Sequence, residues 1–540
     1  MKDLFNHIVT GTFLFLSIFF FSCTDLFEKY NTDKTGFPDE AQEYDYNKYG
    51  IQPGIIQKGI YFNYNWGQGV NWPFQIMQNL NVDMFAGYFH DFKNTNTTNS
   101  VYNLHAGWNS SNWENTYGYI MPAIFKSENL TKDDGYPSFL GITKILKVAA
   151  MHRIADQYGP LIYSSFGTGD NSKPESLQEA YNNFFADLEE GITLIQNWIS
   201  ANPDLESFAK FDILTQTRTY DEWLRFANSL RLRLAMRISN VDKETSRIQV
   251  NKCFSNNIGF LEEDRHMIAV STNGSGYSNP LGEINKAWSE VFMNASMESF
   301  MTGFDDARIF RYFEPAAGDG DGQYILLIKG AYKGIRQGTG VESNIYNGHS
   351  RSTISQRTNA VLMSPAEVWF LRAEASLRGM SSENIGECYR NGVIASFRQW
   401  SVSGYVEEYL TSNNKPSDYK DAFNTRFDAK ALSTITPKWV EDATNEEKLE
   451  RIITQKWIAC YPEGAEAWAE QRRTGYPQLL KVVVNNSGGT ISTERMIRRL
   501  PYPADIEKGN ASQYQQLLQL LGGADTGGTS LWWDAGRNNF

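Results

Sequence analysis

Five aromatic residues stand among glycine, asparagine and serine rather than in an apolar period. Trp66 and Trp72 lie in Tyr-Asn-Trp-Gly-Gln-Gly-Val-Asn-Trp, Trp108 and Trp113 in Gly-Trp-Asn-Ser-Ser-Asn-Trp, and Tyr277 in Gly-Ser-Gly-Tyr-Ser-Asn. The chemistry such residues offer is non-covalent. A sugar ring presents C–H groups that can lie on the electron-rich face of an aromatic ring, while flanking amides and carboxylates bond its hydroxyls. Each ring taken alone also suits packing or loop anchoring. As a set, the five are the candidate ligand-binding residues.

Covalent chemistry has no comparable signal. The chain contains no HExxH, no GxSxG and no glycine-rich phosphate loop, and of its six histidines none is spaced to pair with another on a metal. Gly318-Asp-Gly-Asp-Gly322 resembles the start of a calcium loop, but Gly330 stands where the bidentate glutamate belongs, so an acidic surface turn is the reading. Two carboxylates could hydrolyse a glycosidic bond if a cleft held them at the right separation, yet 62 acidic residues single out no pair. Arg225, Arg231, Arg233 and Arg237 could mark an anion site. Their place toward a helix C-terminus, where cations favour the dipole and reach neighbouring helices, gives them a structural role instead. No catalytic residue, metal or cofactor is therefore assigned.

One further side chain carries chemistry by position. Residues 8–21 form a largely apolar run, too short for a bilayer span and of the length of a signal-peptide core, and it ends at Phe21-Ser22-Cys23. A small residue before cysteine is what lipoprotein processing requires. Residues 1–22 thus read as a signal peptide and Cys23 as the lipidated first residue, with Phe20 departing from the leucine of a consensus lipobox. Residues 23–47 are polar and charged and read as a tether. Cys253, Cys388 and Cys460 are widely separated and imply neither a zinc site nor a disulfide framework. A net charge of −12 excludes a nucleic-acid partner, which needs a basic surface.

The elements that must position these residues are helices. Four starts carry a Ser or Thr followed three residues later by Glu: Ser176 with Glu179, Thr219 with Glu222, Ser364 with Glu367 and Thr444 with Glu447. Three lead into apolar stripes at helical spacing, through Tyr181, Phe184, Leu188 and Ile192, through Trp223, Phe226, Leu230 and Leu234, and through Leu449, Ile452, Ile453 and Trp457. Further helices are expected near 71–85, 138–156 and 503–521, and a helix stop at Arg472-Arg473-Thr-Gly475-Tyr-Pro477. Alternating strands are scarce, so the protein is read as mainly α. From about 264 to 359 the pattern changes to Gly, Ser, Asn and Asp, which predicts a loop-rich excursion with small strands and short helices. The starts show no fixed repeat period.

Several segments together resemble the SusD/RagB family, in its SusD-like nutrient-binding branch. They are Asp156-Gln-Tyr-Gly-Pro160 with Tyr163, the run 223–239 (WLRFANSLRLRLAMRIS), the run 366–379 (AEVWFLRAEASLRG), Gln455-Lys-Trp457, Glu466-Ala-Trp468 leading into RRTGYP, Pro501-Tyr-Pro503, Asn510 and Leu531-Trp-Trp-Asp534. Ile162 departs from the pattern, which usually has proline there. The resemblance implies tetratricopeptide-like helical pairs in an alpha-alpha superhelix over residues 48–540, beside a loop-rich part with minor β structure that bears ligand. It also implies an outer-membrane lipoprotein held by its N-terminal lipid, paired with a SusC-like TonB-dependent transporter and capturing glycans, or peptides as in the RagB relatives. A helical scaffold for protein contacts and a surface glycan-active enzyme are the alternative readings.

Overall fold

The computed structural model describes residues 44–61, 71–90, 98–169, 172–273, 276–318, 328–340, 344–534, 536 and 538–540. The signal peptide, Cys23, most of the tether, Trp66 and the acidic turn that begins at Gly318 fall outside these or at their edge.

The body is mainly helical, and its long helices pack as consecutive pairs. α1 (Ala106–Asn115) and α2 (Met121–Asp133) lead into α3 (Pro137–Tyr158), which pairs with α4 (Leu177–Ala201). α5 (Tyr220–Arg237) pairs with α6 (Lys243–Ser255), α7 (Pro365–Leu377) with α8 (Ile385–Gln399), and α9 (Asn445–Ala459) with α10 (Gly464–Thr474). α5 packs on α4 and α7, and α7 packs on α9, so the pairs stack side by side as the tetratricopeptide-like reading requires. The apolar stripes are core faces: Tyr181, Phe184, Leu188, Trp223, Leu230, Leu234, Ile452 and Trp457 are all buried.

The helix starts fall where the sequence puts them, but their chemistry divides. Ser176–Glu179 and Thr444–Glu447 are complete boxes, each glutamate accepting the N–H of its capping residue. Thr219 and Ser364 accept the N–H of Glu222 and Glu367, but those carboxylates do not return the bond. Glu222 accepts instead from Thr217, and Glu367 takes both Nε and Nη2 of Arg233 at 2.7 Å. A buried guanidinium competes successfully for a carboxylate because a charge-assisted bidentate bond is stronger than a cap. The helix expected over 503–521 is two, Ala504–Gly509 and α11 (Ala511–Leu521), with Asn510 non-helical between them (φ −150°, ψ 81°) and accepting from Gln513. α10 ends at Gly475 in the left-handed conformation (φ 81°), its N–H donating to Gln471.

Inside the stack lies a network of ten charged side chains, each at most 5% exposed. Arg233 and Arg237 of α5, Arg378 just past α7, Lys456 of α9 and Arg473 of α10 face Asp156 of α3, Glu367 and Glu374 of α7, and Glu466 and Glu470 of α10. Arg237 reaches Asp156 at 3.1 Å, Glu466 at 2.5 Å and Glu470; Lys456 reaches Glu466 at 2.8 Å; Arg473 reaches Glu374 and Glu470, each at 2.7 Å. Five cations face five carboxylates, and each charge buried away from water has a partner. The arginines read from the sequence as structural are so: Arg231 pairs with Glu189, and Arg225 donates to the Phe260 carbonyl.

The excursion bears the predicted small elements. Its strand β3 (Phe292–Met293) pairs antiparallel with β1 (Phe89–His90) from outside it, and its β2 (Ile268–Val270) with β4 (Ala360–Met363) at its end, with short helices at Pro280–Lys286, Ala295–Gly303 and Ile309–Tyr312. At Ile162 the departure from proline has a use: its N–H donates to the Tyr117 hydroxyl at 3.0 Å, and that hydroxyl donates to the Ile162 carbonyl at 2.7 Å. Proline has no N–H to give.

Candidate functional site

Trp72 begins the short helix Trp72–Phe74, with Pro73 behind it in the first turn, where a missing N–H is harmless. The helix runs on as a π-helix, Gln75–Asp83, kinked at Asn81, whose conformation is non-helical (φ −131°, ψ −107°). Asparagines fix this segment in place. Asn112 donates to the Met77 carbonyl at 3.0 Å, Asn81 donates to Asn109 at 3.0 Å, and Asn99 donates to the Leu80 carbonyl at 3.0 Å. Residue 77 thus faces 112 and residue 81 faces 109, so α1 runs antiparallel to the π-helix. Beyond it, Asp83 accepts the N–H of Gly464 at 3.1 Å, where a Cβ would collide with the Asp83 backbone. Burial, with Glu463 nearby, raises the Asp83 carboxyl well above its usual range.

The face that results combines three chain segments. Trp72 is 50% exposed. Gln75, three residues on and so on the same side of the helix, donates its amide to Glu290. Trp288, half-buried, stands two residues before Glu290, and Ser289 between them adopts a left-handed φ of 56° that turns the chain. Ser289 Oγ accepts from Arg351 at 2.9 Å. The β1–β3 pairing, the packing of Pro280–Lys286 on the π-helix and the Gln75–Glu290 bond together hold residues 288–290 against the start of the π-helix, three residues on from Trp72. An aromatic ring, an amide, a carboxylate and a guanidinium converge here, which suits stacking on a sugar ring and bonding its hydroxyls.

The other predicted site residues separate from this face. Trp108 is half-buried at the start of α1, its ring stacked on His105 at 4.6 Å, and stands at the opposite end of the antiparallel pair from Trp72. Trp113 is 6% exposed and packs against Tyr117, Tyr158 and Tyr502, so burial makes it a core ring rather than a ligand platform. Tyr277 is 5% exposed, and burial pushes its hydroxyl well above the usual range, so it too is a packing residue. Sequence reasoning missed Trp288, Gln75 and Glu290. It also missed a second exposed group in which Phe310 and Tyr405 meet at 6.4 Å and Tyr332 lies 6.0 Å from Phe310. The available signal was a tryptophan inside the excursion, followed directly by Ser-Glu.

Among the described residues no cluster of His, Cys, Asp and Glu could hold a metal ion. Cys253, Cys388 and Cys460 are buried and unbridged, and burial pushes the Cys253 and Cys388 thiols up to about 12.

The family profile for SusD-like proteins, described as the SusD and RagB outer membrane lipoproteins, matches residues 29–534. A comparison with curated proteins returned no match. Among solved structures, a SusD homologue from Bacteroides vulgatus is 47% identical with a TM-score of 0.87, covering 92% of this chain and 100% of its own. A chitin-binding SusD homologue from Flavobacterium johnsoniae is 34% identical with a TM-score of 0.84, covering 91% and 99%. A SusD homologue from Bacteroides thetaiotaomicron is 28% identical with a TM-score of 0.80, covering 91% and 99%. No helix among the described residues is long and apolar enough to cross a membrane. The chain belongs to the SusD-like family of outer membrane lipoproteins.

Proposed function

We propose that this protein captures glycans on the face framed by Trp72, Gln75, Trp288 and Glu290 and passes them to a SusC-like TonB-dependent transporter, tethered at the cell surface through an acylated Cys23. The observation that carries the reading is the half-exposed Trp72 ring beside the Gln75–Glu290 bond, since an aromatic face left in water next to fixed polar groups can stack on a sugar ring whose hydroxyls those groups bond. The chitin-binding relative supports a glycan over a peptide as the class of ligand. We read the protein as a binding protein and not an enzyme, because the sequence carries no catalytic motif and the family consists of binding proteins. Several acyl chains on Cys23 would give the stable anchoring that one chain cannot, and residues 24–47 would be the tether that lets the body reach a transporter.

The test is calorimetric titration of the soluble chain 24–540 against chitin, starch and β-glucan oligosaccharides and a peptide panel. A glycan that binds, and binds at least about tenfold more weakly to Trp72→Ala, is the expected result, about 1.4 kcal/mol. Binding confined to peptides, or an affinity indifferent to Trp72, would remove the proposal. Mass spectrometry of the mature N-terminus checks the anchor.

A further inference from the structure

A cavity of about 470 Å³ that shares no lining residue with the Trp72 face lies where three segments end together. Asp264, Arg265 and Met267 precede β2, Arg357, Thr358 and Asn359 precede β4, and Arg398, Gln399 and Trp400 close α8. Its lining sets three guanidiniums against one carboxylate, Asp264, a local excess of positive charge on a chain whose net charge is −12. Two of the three are committed. Arg398 pairs with Asp264 at 2.7 Å, and Arg265 with Glu263 at 2.9 Å. Arg357 is different: its backbone is held on both sides, the N–H by Ser355 Oγ at 3.3 Å and the carbonyl by Thr272 Oγ1 at 2.7 Å, while its guanidinium has no partner among the described residues.

The rest of the wall is amide, ring and the apolar side chains of Met267, Val361 and Pro462. Gln216, Asn359 and Gln399 line it together with Trp400, which packs edge-on against Tyr312 at 4.6 Å. A fixed backbone carrying a free guanidinium suits a carboxylate, which the planar fork meets in two parallel bonds. Amides and an indole beside it suit hydroxyls and a ring. From this we infer a second saccharide site, distinct from the Trp72 face, that takes a sugar bearing a carboxylate: a uronic acid residue of an acidic glycan.

Titration of the soluble chain 24–540 with galacturonate and glucuronate trimers, their methyl esters, sodium acetate and an acidic tripeptide tests the inference. Expected are binding of at least one uronate trimer, an affinity at least about tenfold lower for its methyl ester, and a similar loss in Arg357→Ala. That variant removes an exposed side chain, so its circular dichroism and its binding of the Trp72-dependent glycan should be unchanged; this separates failure here from failure of the glycan-capture reading. Absence of uronate binding at millimolar concentration overturns the site, as does equal affinity in Arg357→Ala. Acetate binding as tightly as the trimer reduces it to a simple anion site, and preference for the tripeptide assigns it to another ligand; both contradict the proposal.

Discussion

In the helical half, Arg473 is wholly enclosed between Glu374 and Glu470, and Trp113 is packed by three tyrosines. On the loop-rich face, the Arg351 guanidinium meets only a serine hydroxyl among the described residues, and Trp72 leaves half its surface in water. The residue types are the same and the surroundings are opposite. Enclosure makes guanidinium and indole into fastenings between helices, because a buried charge or polar atom must be matched on every side. Exposure beside fixed amides and carboxylates leaves the same groups unspent for a ligand. Stability should therefore respond to the first region and affinity to the second, with little crossover.

The largest test of that division is Arg473→Met. It leaves Glu374 and Glu470 each short of a cation and should cost about 3–5 kcal/mol in urea unfolding. If the variant is too unstable to isolate, Lys456→Met, read by the melting temperature of the soluble chain, serves the same purpose. Trp113→Ala should cost about 3–5 kcal/mol through the cavity it opens among Tyr117, Tyr158 and Tyr502. Glycan affinity of the folded fraction should stay as in the parent protein for all three. An affinity loss in Trp113→Ala with stability intact would mean that this ring belongs to the ligand face after all.

Acid should act on the enclosed region in a defined direction. Burial alone would raise the Glu466 and Glu470 carboxyls, but Arg237, Lys456 and Arg233 around the first, and Arg473, Lys456 and Arg237 around the second, outweigh it and hold both below the usual range. Their stabilisation is complete above the ordinary glutamate value of 4.5 and is lost as pH falls through the lower folded values. Burial lowers His90 and His152 to about 3, so between 6.5 and 3 the unfolded chain takes up protons that the folded one refuses, again costing stability as pH falls. Glu298, raised by burial to about 7, acts the other way between 4.5 and 7. The melting temperature should thus drop most steeply below pH 4.5, and a flat profile from pH 4.5 to 2 would contradict the charged network.

How far the sequence reaches depends on the range of the interaction. The cap at Ser176 and the stop at Gly475 were legible because both are decided within a few residues. The missing return bonds at Glu222 and Glu367 were not, because Arg233, more than a hundred residues from Glu367, settles the second. The same holds for the rings. Trp72 and Trp113 carry similar neighbours in sequence, and only the approach of Tyr158 and Tyr502 makes one of them core. Trp288 was illegible as part of this face because the Gln75–Glu290 bond that brings its segment there joins residues 215 apart.

A smaller effect probes the local end of that range. Ser176→Ala should cost about 1 kcal/mol by removing the cap of α4, measurable by thermal melting, and should leave binding untouched.

The most direct test of capture by the exposed face is titration of the soluble chain 24–540 and of Trp72→Ala with the oligosaccharide that binds tightest in the panel. Trp72→Ala should unfold within about 0.5 kcal/mol of the parent and bind at least about tenfold more weakly. Unchanged affinity in a folded Trp72→Ala protein would contradict the assignment of the ligand to this face.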